Sequence, residues 1–384
     1  MEITKRLNFD NIFIFLFLIL FPFGQIIRIG ILQPIDLIVG IAALYSIFKH
    51  QRIPNFVTVF KLFLFFAAVS FIFSIFFFHQ LEVLYGILYL VRLFAYCYFG
   101  VYVWNFVQSK KSNKELLLNS LLLISLTSAI FGWVQFFKFP DLKPFFAWGW
   151  DMHLFRLVGT FLDPTFLGLI IVFGLIITIH RFIATKDRNY LLATLFLIIS
   201  LAFTYSRASY LAFLVGVSYL LYIHKKIKYL IYPVFVLGAL ILILPTSRNH
   251  SIEFMRSFSV LSRFENYGST FKLFLKSPVF GIGYDNLCLA NQKYIGPQEF
   301  SSHACSGSDS SILFVLATTG VVGLIIFVIS LLKIAKLSSK NSQFIILSTS
   351  FITLLVHSLF SNSMFYPWIM GWMIILLSIL LAEV

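Results

Sequence analysis

Continuous runs of apolar residues dominate this sequence and leave it few possible architectures. The runs recur almost from end to end, and several exceed the roughly 18 residues that an α-helix needs to cross a bilayer. Of the 384 residues, 60% are hydrophobic and only 11% are charged, far from the composition of a soluble domain. A transmembrane β-barrel is not expected, because its strands alternate apolar and polar residues. The sequence therefore predicts an all-α protein that crosses a membrane many times.

About twelve transmembrane helices fit these runs. The first follows the charged start MEITKRLNFD and is expected to be retained, because no small-residue cleavage site follows it. The predicted spans form one integrated membrane domain: helices 1–9 within residues 1–244, a long polar segment over 245–308, and helices 10–12 within 309–384. The predicted bounds are 11–30, 33–49, 55–78, 84–107, 115–137, 165–182, 189–204, 206–223, 228–244, 309–335, 342–361 and 365–382.

Basic residues are concentrated in alternate connectors. KHQR at 49–52 and QSKKSNK at 108–114 are basic, whereas TYS at 204–206 and SNS at 361–363 contain no Lys or Arg. The positive-inside rule therefore predicts cytoplasmic termini and an outer location for the loop 138–164 and the segment 245–308. The same connectors account for most of the net charge of +14, so nucleic acid is not an expected partner.

Three arginines are candidates for an anion site. Arg207 opens a span at its predicted outer end, Arg263 lies in the long polar segment, and Arg92 lies inside a span. An arginine within the bilayer core costs at least a few kcal/mol, so Arg92 either faces a polar cavity or snorkels to the headgroups. Guanidinium groups bind phosphate bidentately, and an interfacial anchor is the alternative role for Arg207 taken alone.

The cysteines and polar side chains predict no metal or cofactor. No group of His, Cys and carboxylate residues has metal-ligand spacing, and no nucleophile elbow is present. Cys288 and Cys305 both lie in the long polar segment, where an oxidising compartment permits a disulfide between them. The sequence leaves open whether that bond forms.

Four stretches carry a resemblance to a known family. In chain order they are GTFLDPTFLG (159–168), YSRASYLAFLVG (205–216), RFENYGSTFKLFLKSPVFGIGYDNL (263–287) and DSSILFVLATTGVVGL (309–324). Together they resemble motifs of the O-antigen ligase and O-antigen polymerase superfamily, multispan enzymes of the bacterial inner membrane. The resemblance implies a GT-C-like fold and metal-independent glycosyl transfer, with inversion, from an undecaprenyl-pyrophosphate-linked glycan at the periplasmic face.

The resemblance also implies roles for individual residues. Arg207 and Arg263 match the arginines that engage the donor pyrophosphate, and Arg92 is a further candidate. The family's histidine at the start of the helix after the loop falls on Asp309 here, and the nearest histidine is His303. Either Asp309 or His303 is therefore the predicted base for the acceptor hydroxyl.

Asp309 in place of histidine favours a polymerase, whose acceptor is another lipid-linked repeat, over a ligase, whose acceptor is lipid A–core. Asp163 and Thr165 also replace two asparagines of the family pattern. Besides donor and acceptor, the expected partners are membrane lipids and, for a polymerase, a chain-length regulator.

Two other functional classes are alternatives to an enzyme. Twelve spans with cytoplasmic termini also describe secondary transporters, but no matching half-repeats are visible here and carriers need no large outer loop. A purely structural or assembly role is the third alternative.

Overall fold

The computed structural model describes residues 11–27, 33–148, 153–243, 250–296, 307–338 and 344–382. Within these ranges the chain is helical and forms no strand; an isolated antiparallel bridge joins Asp141 and Leu154. The α-helices are α1 Ile12–Leu20, α2 Pro34–Phe48, α3 Asn55–Phe73, α4 Gln80–Ser109, α5 Ser112–Lys138, α6 Pro164–Thr185, α7 Arg188–Thr204, α8 Arg207–Ile223, α9 Ile231–Ile243, α10 His250–Lys276, α11 Leu287–Tyr294, α12 Ser311–Ser338, α13 Phe344–His357 and α14 Pro367–Leu381.

Five helical stretches of the described chain are long and apolar enough to cross a bilayer. They are Asn55–Phe76, Glu82–Ser109, Ser112–Lys138, Pro164–Thr185 and Ser311–Leu337. The shorter apolar helices are Ile12–Phe23, Pro34–Phe48, Arg188–Thr204, Arg207–Ile223, Ile227–Ile243, Phe344–His357 and Pro367–Leu381. The all-helical architecture with candidate membrane spans agrees with the sequence analysis, whereas the count of twelve spans stays a prediction.

Helix α6 runs through the larger hydrophobic core. Every residue from Leu167 to Thr178 is buried, because α5, α7, α8 and α13 surround the helix. Small residues permit this close packing: a Cβ at Gly168 would lie 2.4 Å from Ser209 Oγ, and a Cβ at Gly174 would lie 2.5 Å from Ser125 Cβ. The start of α6 is therefore held firmly relative to its neighbours.

The connectors gather at two opposite ends of the helices. At one end Gln25 Nε2 donates to Tyr366 Oη at 2.9 Å, and the Ser311 amide donates to Ser358 O at 2.9 Å. We call this end, formed by the connectors around residues 21–25, 156–163, 204–206, 307–310 and 358–366, the upper end. These include the connectors TYS and SNS.

The lower end contains the basic connectors. Lys114 Nζ donates to Ala382 O at 2.9 Å, and Arg181 Nη2 pairs with Glu115 Oε2 at 2.6 Å. The connectors that the positive-inside rule assigns to the cytoplasm thus lie together in the fold. Which end faces the cytoplasm stays a prediction.

The predicted loop 245–308 contains two described helices, α10 and α11, joined by a turn over 277–286. Gly281 has φ +75°, and its amide donates to Ser277 O at 2.9 Å. The next amide, of Ile282, donates to Ala317 O at 3.0 Å. The chain therefore turns after Pro278, and the backbone of this turn is bound to α12.

Helix α12 is broken where this turn meets it. Gly320 has φ +69°, and a Cβ there would lie 2.2 Å from Val279 O. Ser70 of α3 donates to Thr318 O at 2.6 Å and to Phe280 O at 2.8 Å, so a third element joins the contact. The sequence analysis missed this break.

Candidate functional site

The first element of the site is the N-terminus of α6, which begins with a capped turn. Asp163 is the N-cap, its Oδ1 accepts from the Thr165 amide at 2.5 Å, and Pro164 occupies the first helical position. These residue types are favoured there because the carboxylate satisfies a free amide and proline has no amide to satisfy. A half-buried carboxylate is thereby fixed at the upper end of the central helix.

Arg156 fixes the neighbouring turn between α7 and α8. Its Nε donates to Thr204 O at 3.0 Å and its Nη2 to Tyr205 O at 3.1 Å, so it satisfies carbonyls that the end of α7 leaves free. Burial and the charge of Arg156 lower the pKa of His153 to about 4, although Asp163 opposes this. Arg156 therefore positions the start of α8, a role that the sequence analysis did not assign to it.

Arg207 occupies the first position of α8 and is exposed. Ser206, the N-cap, accepts from the Ser209 amide at 3.3 Å. The N-terminus of a helix carries a partial positive charge, which the Arg207 guanidinium reinforces. This rim position is suited to an anion that approaches from outside the helices.

His357 is buried at the end of α13, between the starts of α6 and α8. Its Nε2 lies 3.3 Å from Ser209 Oγ, and its Nδ1 lies 2.6 Å from Ser363 Oγ. The charges of Asp163 and Arg263 both act on the ring. The sequence analysis did not single out His357, because one histidine at the end of an apolar helix carries no motif.

Helix α10 holds the residues that precede α12. Asn266 Oδ1 accepts from the Asp309 amide at 2.8 Å, and Asn266 Nδ2 donates to Gly307 O at 3.2 Å. Arg263 lies three residues before Asn266 and hence on the same face of α10. The two predicted residues Arg263 and Asp309 are therefore neighbours across this contact.

The surroundings of Asp309 raise its pKa. Burial is the largest cause, the Asp163 carboxylate adds to it, and the Arg263 guanidinium opposes it. A carboxyl group with a raised pKa is a better proton acceptor once ionised, which suits a general base. Asp309, Asp163 and Arg263 thus form a coupled set of charges, and Arg207 lies on the rim at the same end.

A polar cavity of about 350 Å³ adjoins this set. Arg92 lines it, and its Nη2 donates to Asp36 Oδ2 at 2.6 Å, with only 13% and 8% of the two side chains exposed. Of the two expectations for Arg92, the polar cavity is the one that matches its position. Its charge is compensated by Asp36, in contrast to that of the exposed Arg207.

An apolar cavity of about 320 Å³ lies next to the polar one. The two cavities share Leu93, Phe365 and Met370 in their walls. The apolar cavity extends between α3, α12, α13 and α14 along helices that are candidates for the membrane. A ligand with a polar head and a hydrocarbon tail has matching surfaces here.

Two predictions fall on residues outside the described ranges. His303, the alternative base, is one of them, and Cys305 is the other. Cys288 is disulfide-bonded, whereas Cys97 is free.

Comparison with known proteins identifies part of the chain. The sequence model of a family described as O-antigen ligase matches residues 192–328, which contain Arg207, Arg263 and Asp309. No curated protein matches the chain. The family consists of glycosyltransferase-like enzymes of O-antigen and lipopolysaccharide biosynthesis, so the match favours an enzyme over a transporter. The predicted resemblance is thereby confirmed for residues 192–328, and this segment supports the assignment to the O-antigen ligase and polymerase superfamily.

Proposed function

We propose that this protein polymerises a surface glycan by transferring it from an undecaprenyl-pyrophosphate carrier to a hydroxyl of a second lipid-linked repeat, at the periplasmic face of the inner membrane. The observation that carries the proposal is the hydrogen bond from the Asp309 amide to Asn266, which holds Asp309 against the face of α10 that bears Arg263, inside the segment matched by the family. It sets a cation beside a proton acceptor, and glycosyl transfer from a diphosphate needs both.

The donor pyrophosphate is bound by Arg207 and Arg263. Arg207 is exposed at a helix N-terminus, where the partial charge of the helix and the guanidinium act on the same anion. Arg263 is half-buried, so water screens its charge less. Together they stabilise the negative charge that grows on the leaving pyrophosphate as its bond to the sugar breaks.

Asp309 accepts the proton of the acceptor hydroxyl. The acceptor oxygen forms a bond to the anomeric carbon while the bond from that carbon to the pyrophosphate oxygen breaks. The electron pair of the broken bond leaves with the polyprenyl pyrophosphate, and the proton moves to an Asp309 carboxylate oxygen. A single displacement of this kind inverts the configuration at the anomeric carbon.

Asp163 has a supporting role in this scheme. Its carboxylate raises the pKa of Asp309 and so strengthens the base, while the Arg263 guanidinium prevents an excessive shift. Because Asp163 caps α6, its position relative to Asp309 follows from the packing of the central helix. The polyprenyl tail lies against the apolar helices that surround the site.

A ligase is the second candidate function, favoured because the matching family is that of O-antigen ligase. Both enzymes use the same donor, and they differ in the acceptor. Purified protein with lipid-linked repeats as the sole substrate distinguishes them: a polymerase forms glycans of many repeats, whereas a ligase requires lipid A–core. Absence of transfer to either acceptor contradicts both candidates.

The roles of the residues are tested in the same assay. We expect Arg207→Ala and Arg263→Ala each to lower the transfer rate about 100-fold or more, as loss of one charge-stabilising donor does elsewhere. Arg188→Ala is the matched control, because Arg188 is also exposed at the first position of an apolar helix, α7. Normal rates in both site variants refute the pyrophosphate role.

The base is identified by comparing Asp309→Asn with His303→Ala. We expect the asparagine variant to lose activity and the alanine variant to retain it. Loss only in His303→Ala transfers the role to His303, and retention in both excludes either residue as the base. Membrane levels of each variant, measured by immunoblot, control for expression.

A further inference from the structure

The polar cavity beside the site contains hydrogen-bond acceptors that no group of the described chain satisfies. Asp285 Oδ2 and Asn362 Oδ1 are buried, belong to residues that line the cavity, and have no hydrogen-bond partner. Trp368 also lines the cavity, and its Nε1 is a buried donor without a partner among the described residues. Buried polar atoms are nearly always paired, so unpaired acceptors and an unpaired donor at one cavity indicate a ligand that both donates and accepts hydrogen bonds, as hydroxyl groups do.

The charges around the cavity argue against an anionic ligand. Arg92 is neutralised by Asp36, and Asp285 adds a carboxyl group, so the cavity is neutral or carries one negative charge. Burial raises the pKa of Asp285 well above its usual range, although Arg92 opposes the shift. A pyrophosphate would find no net positive charge in this cavity. The exposed Arg207 on the rim, in contrast, offers a positive charge to an anion.

The described residues around the polar cavity also do not form a site for a metal cation. Among the described residues no three His, Cys, Asp or Glu side chains gather as metal ligands, and the Arg92 guanidinium lies at the same cavity. A neutral ligand with several hydroxyl groups fits the acceptors and the charge.

Aromatic rings form the rest of the wall. Phe166 and Tyr366 stack with their centroids 3.8 Å apart, and Tyr89 and Phe314 also line the cavity. Mixed walls of this kind, apolar with a few polar groups that fix orientation, are typical of small-molecule pockets. The C–H faces of a pyranose pack on aromatic rings while its hydroxyl groups reach the acceptors. The volume of about 350 Å³ lies within the usual range of such pockets.

We propose that this cavity is a sugar subsite, in which hydroxyl groups of one unit of the glycan substrate donate hydrogen bonds to Asp285 and Asn362. The inference rests on the proposed glycosyl transfer and adds to it the place where the glycan, as distinct from its pyrophosphate, is recognised. Arg92, held by Asp36, then orients the sugar and does not bind the diphosphate.

The backbone at Asp285 allows a clean test. Its φ of +58° is a conformation that asparagine and glycine adopt more readily than other residues. Asp285→Gly therefore removes the side chain without backbone strain, and Asp285→Asn replaces one acceptor oxygen by a donor. Asn362→Leu removes the second acceptor, and Asp141→Asn, in an exposed loop, is the matched control.

The test measures binding of three probes to the purified protein in nanodiscs. The probes are undecaprenyl pyrophosphate without sugar, the same lipid with the glycan repeat, and the free oligosaccharide of that repeat. We expect Asp285→Gly and Asn362→Leu to weaken binding of the lipid-linked glycan at least tenfold, as loss of hydrogen bonds to buried groups does. Binding of the sugar-free lipid is expected to stay within twofold of wild type.

The free oligosaccharide separates donor from acceptor sugars. If it binds wild type and loses affinity in the variants, the cavity holds the acceptor sugar; if it does not bind, the cavity holds the sugar attached to the donor. Equal weakening of the sugar-free and the sugar-bearing lipid, or unchanged binding of both, overturns the sugar subsite. Failure of wild type to bind any lipid-linked glycan overturns instead the proposed function.

Discussion

The buried pair of Arg92 and Asp36 offers a perturbation that separates folding from substrate binding. Arg92→Met and Asp36→Leu each remove one charge and keep much of the side-chain volume. The double variant removes both charges together. Because the pair joins α2 to α4 within the helix bundle, any effect on folding appears in the whole membrane domain.

The expected magnitudes follow from burial. Only 13% of Arg92 and 8% of Asp36 side chains are exposed, and their Nη2–Oδ2 distance is 2.6 Å. Removal of one partner leaves the other charge buried and unpaired, which lowers the free energy of unfolding by about 3–5 kcal/mol. Removal of both charges has little effect on the free energy of unfolding from the ion pair itself. The double variant still loses about 1 kcal/mol, because Asp36 Oδ2 also accepts a hydrogen bond from the Gln33 amide at 3.4 Å.

Two measurements are made on the same four proteins. The free energy of unfolding is obtained by titration with SDS in mixed micelles, and the transfer rate is obtained with lipid-linked repeats. We expect both single variants to be destabilised, the double variant to regain most of its stability, and the transfer rate of the double variant to remain low. That combination assigns Arg92 a substrate role beyond its structural one.

Two results contradict this reasoning in different ways. If each single variant loses less than about 1 kcal/mol, the pair is solvated and the argument from buried charge is wrong. If the double variant regains the transfer rate together with stability, Arg92 has no substrate role, and the pair only supports the fold.

Three further predictions use other parts of the structure. Asp163→Asn keeps a helix cap but removes a charge that raises the pKa of Asp309, so the pH below which activity falls should move to a lower value; an unmoved pH–rate profile contradicts the coupling. Gly281→Ala should destabilise the protein by about 2 kcal/mol or more, because the residue has φ +75° and its Cβ would meet a carbonyl of α12 at 2.3 Å. Gly238→Ala, where nothing lies within 4 Å, should be neutral or stabilising in the same SDS titration, and equal effects of the two refute the steric argument. His357→Leu should lower the free energy of unfolding by about 1–3 kcal/mol, because Ser209 and Ser363 each lose one of their hydrogen bonds inside the protein; an unchanged free energy of unfolding would show that their remaining contacts to Thr165 and Ser361 are sufficient.

The parts of the fold that the sequence predicted are those encoded locally. Continuous apolar runs identify membrane helices wherever they occur, and the alternation of basic connectors matches their grouping at the lower end. The cap at Asp163 was not predicted, although an aspartate before a proline is a local signal of a helix start. These features depend on neighbours in the chain and need no knowledge of packing.

The remaining features depend on contacts between distant residues. Asp36 lies 56 positions from Arg92, and Ser209 lies 148 positions from His357, so no local pattern joins either pair. Helix α10 was hidden within a predicted loop, because its composition is polar enough to resemble one. No local pattern predicts the break at Gly320, because it lies where the 277–286 turn contacts α12.

The attachment of the 277–286 turn to α12 is made by main-chain groups, and this has a consequence for mutational tolerance. Peptide amides and carbonyls are the same at every position, so most side chains along this seam can be exchanged without loss of its hydrogen bonds. The requirement for a missing side chain falls on Gly281, Gly283 and Gly320, which all have positive φ and a blocked Cβ position. A saturation library across the seam should therefore show three intolerant glycines in an otherwise more permissive stretch.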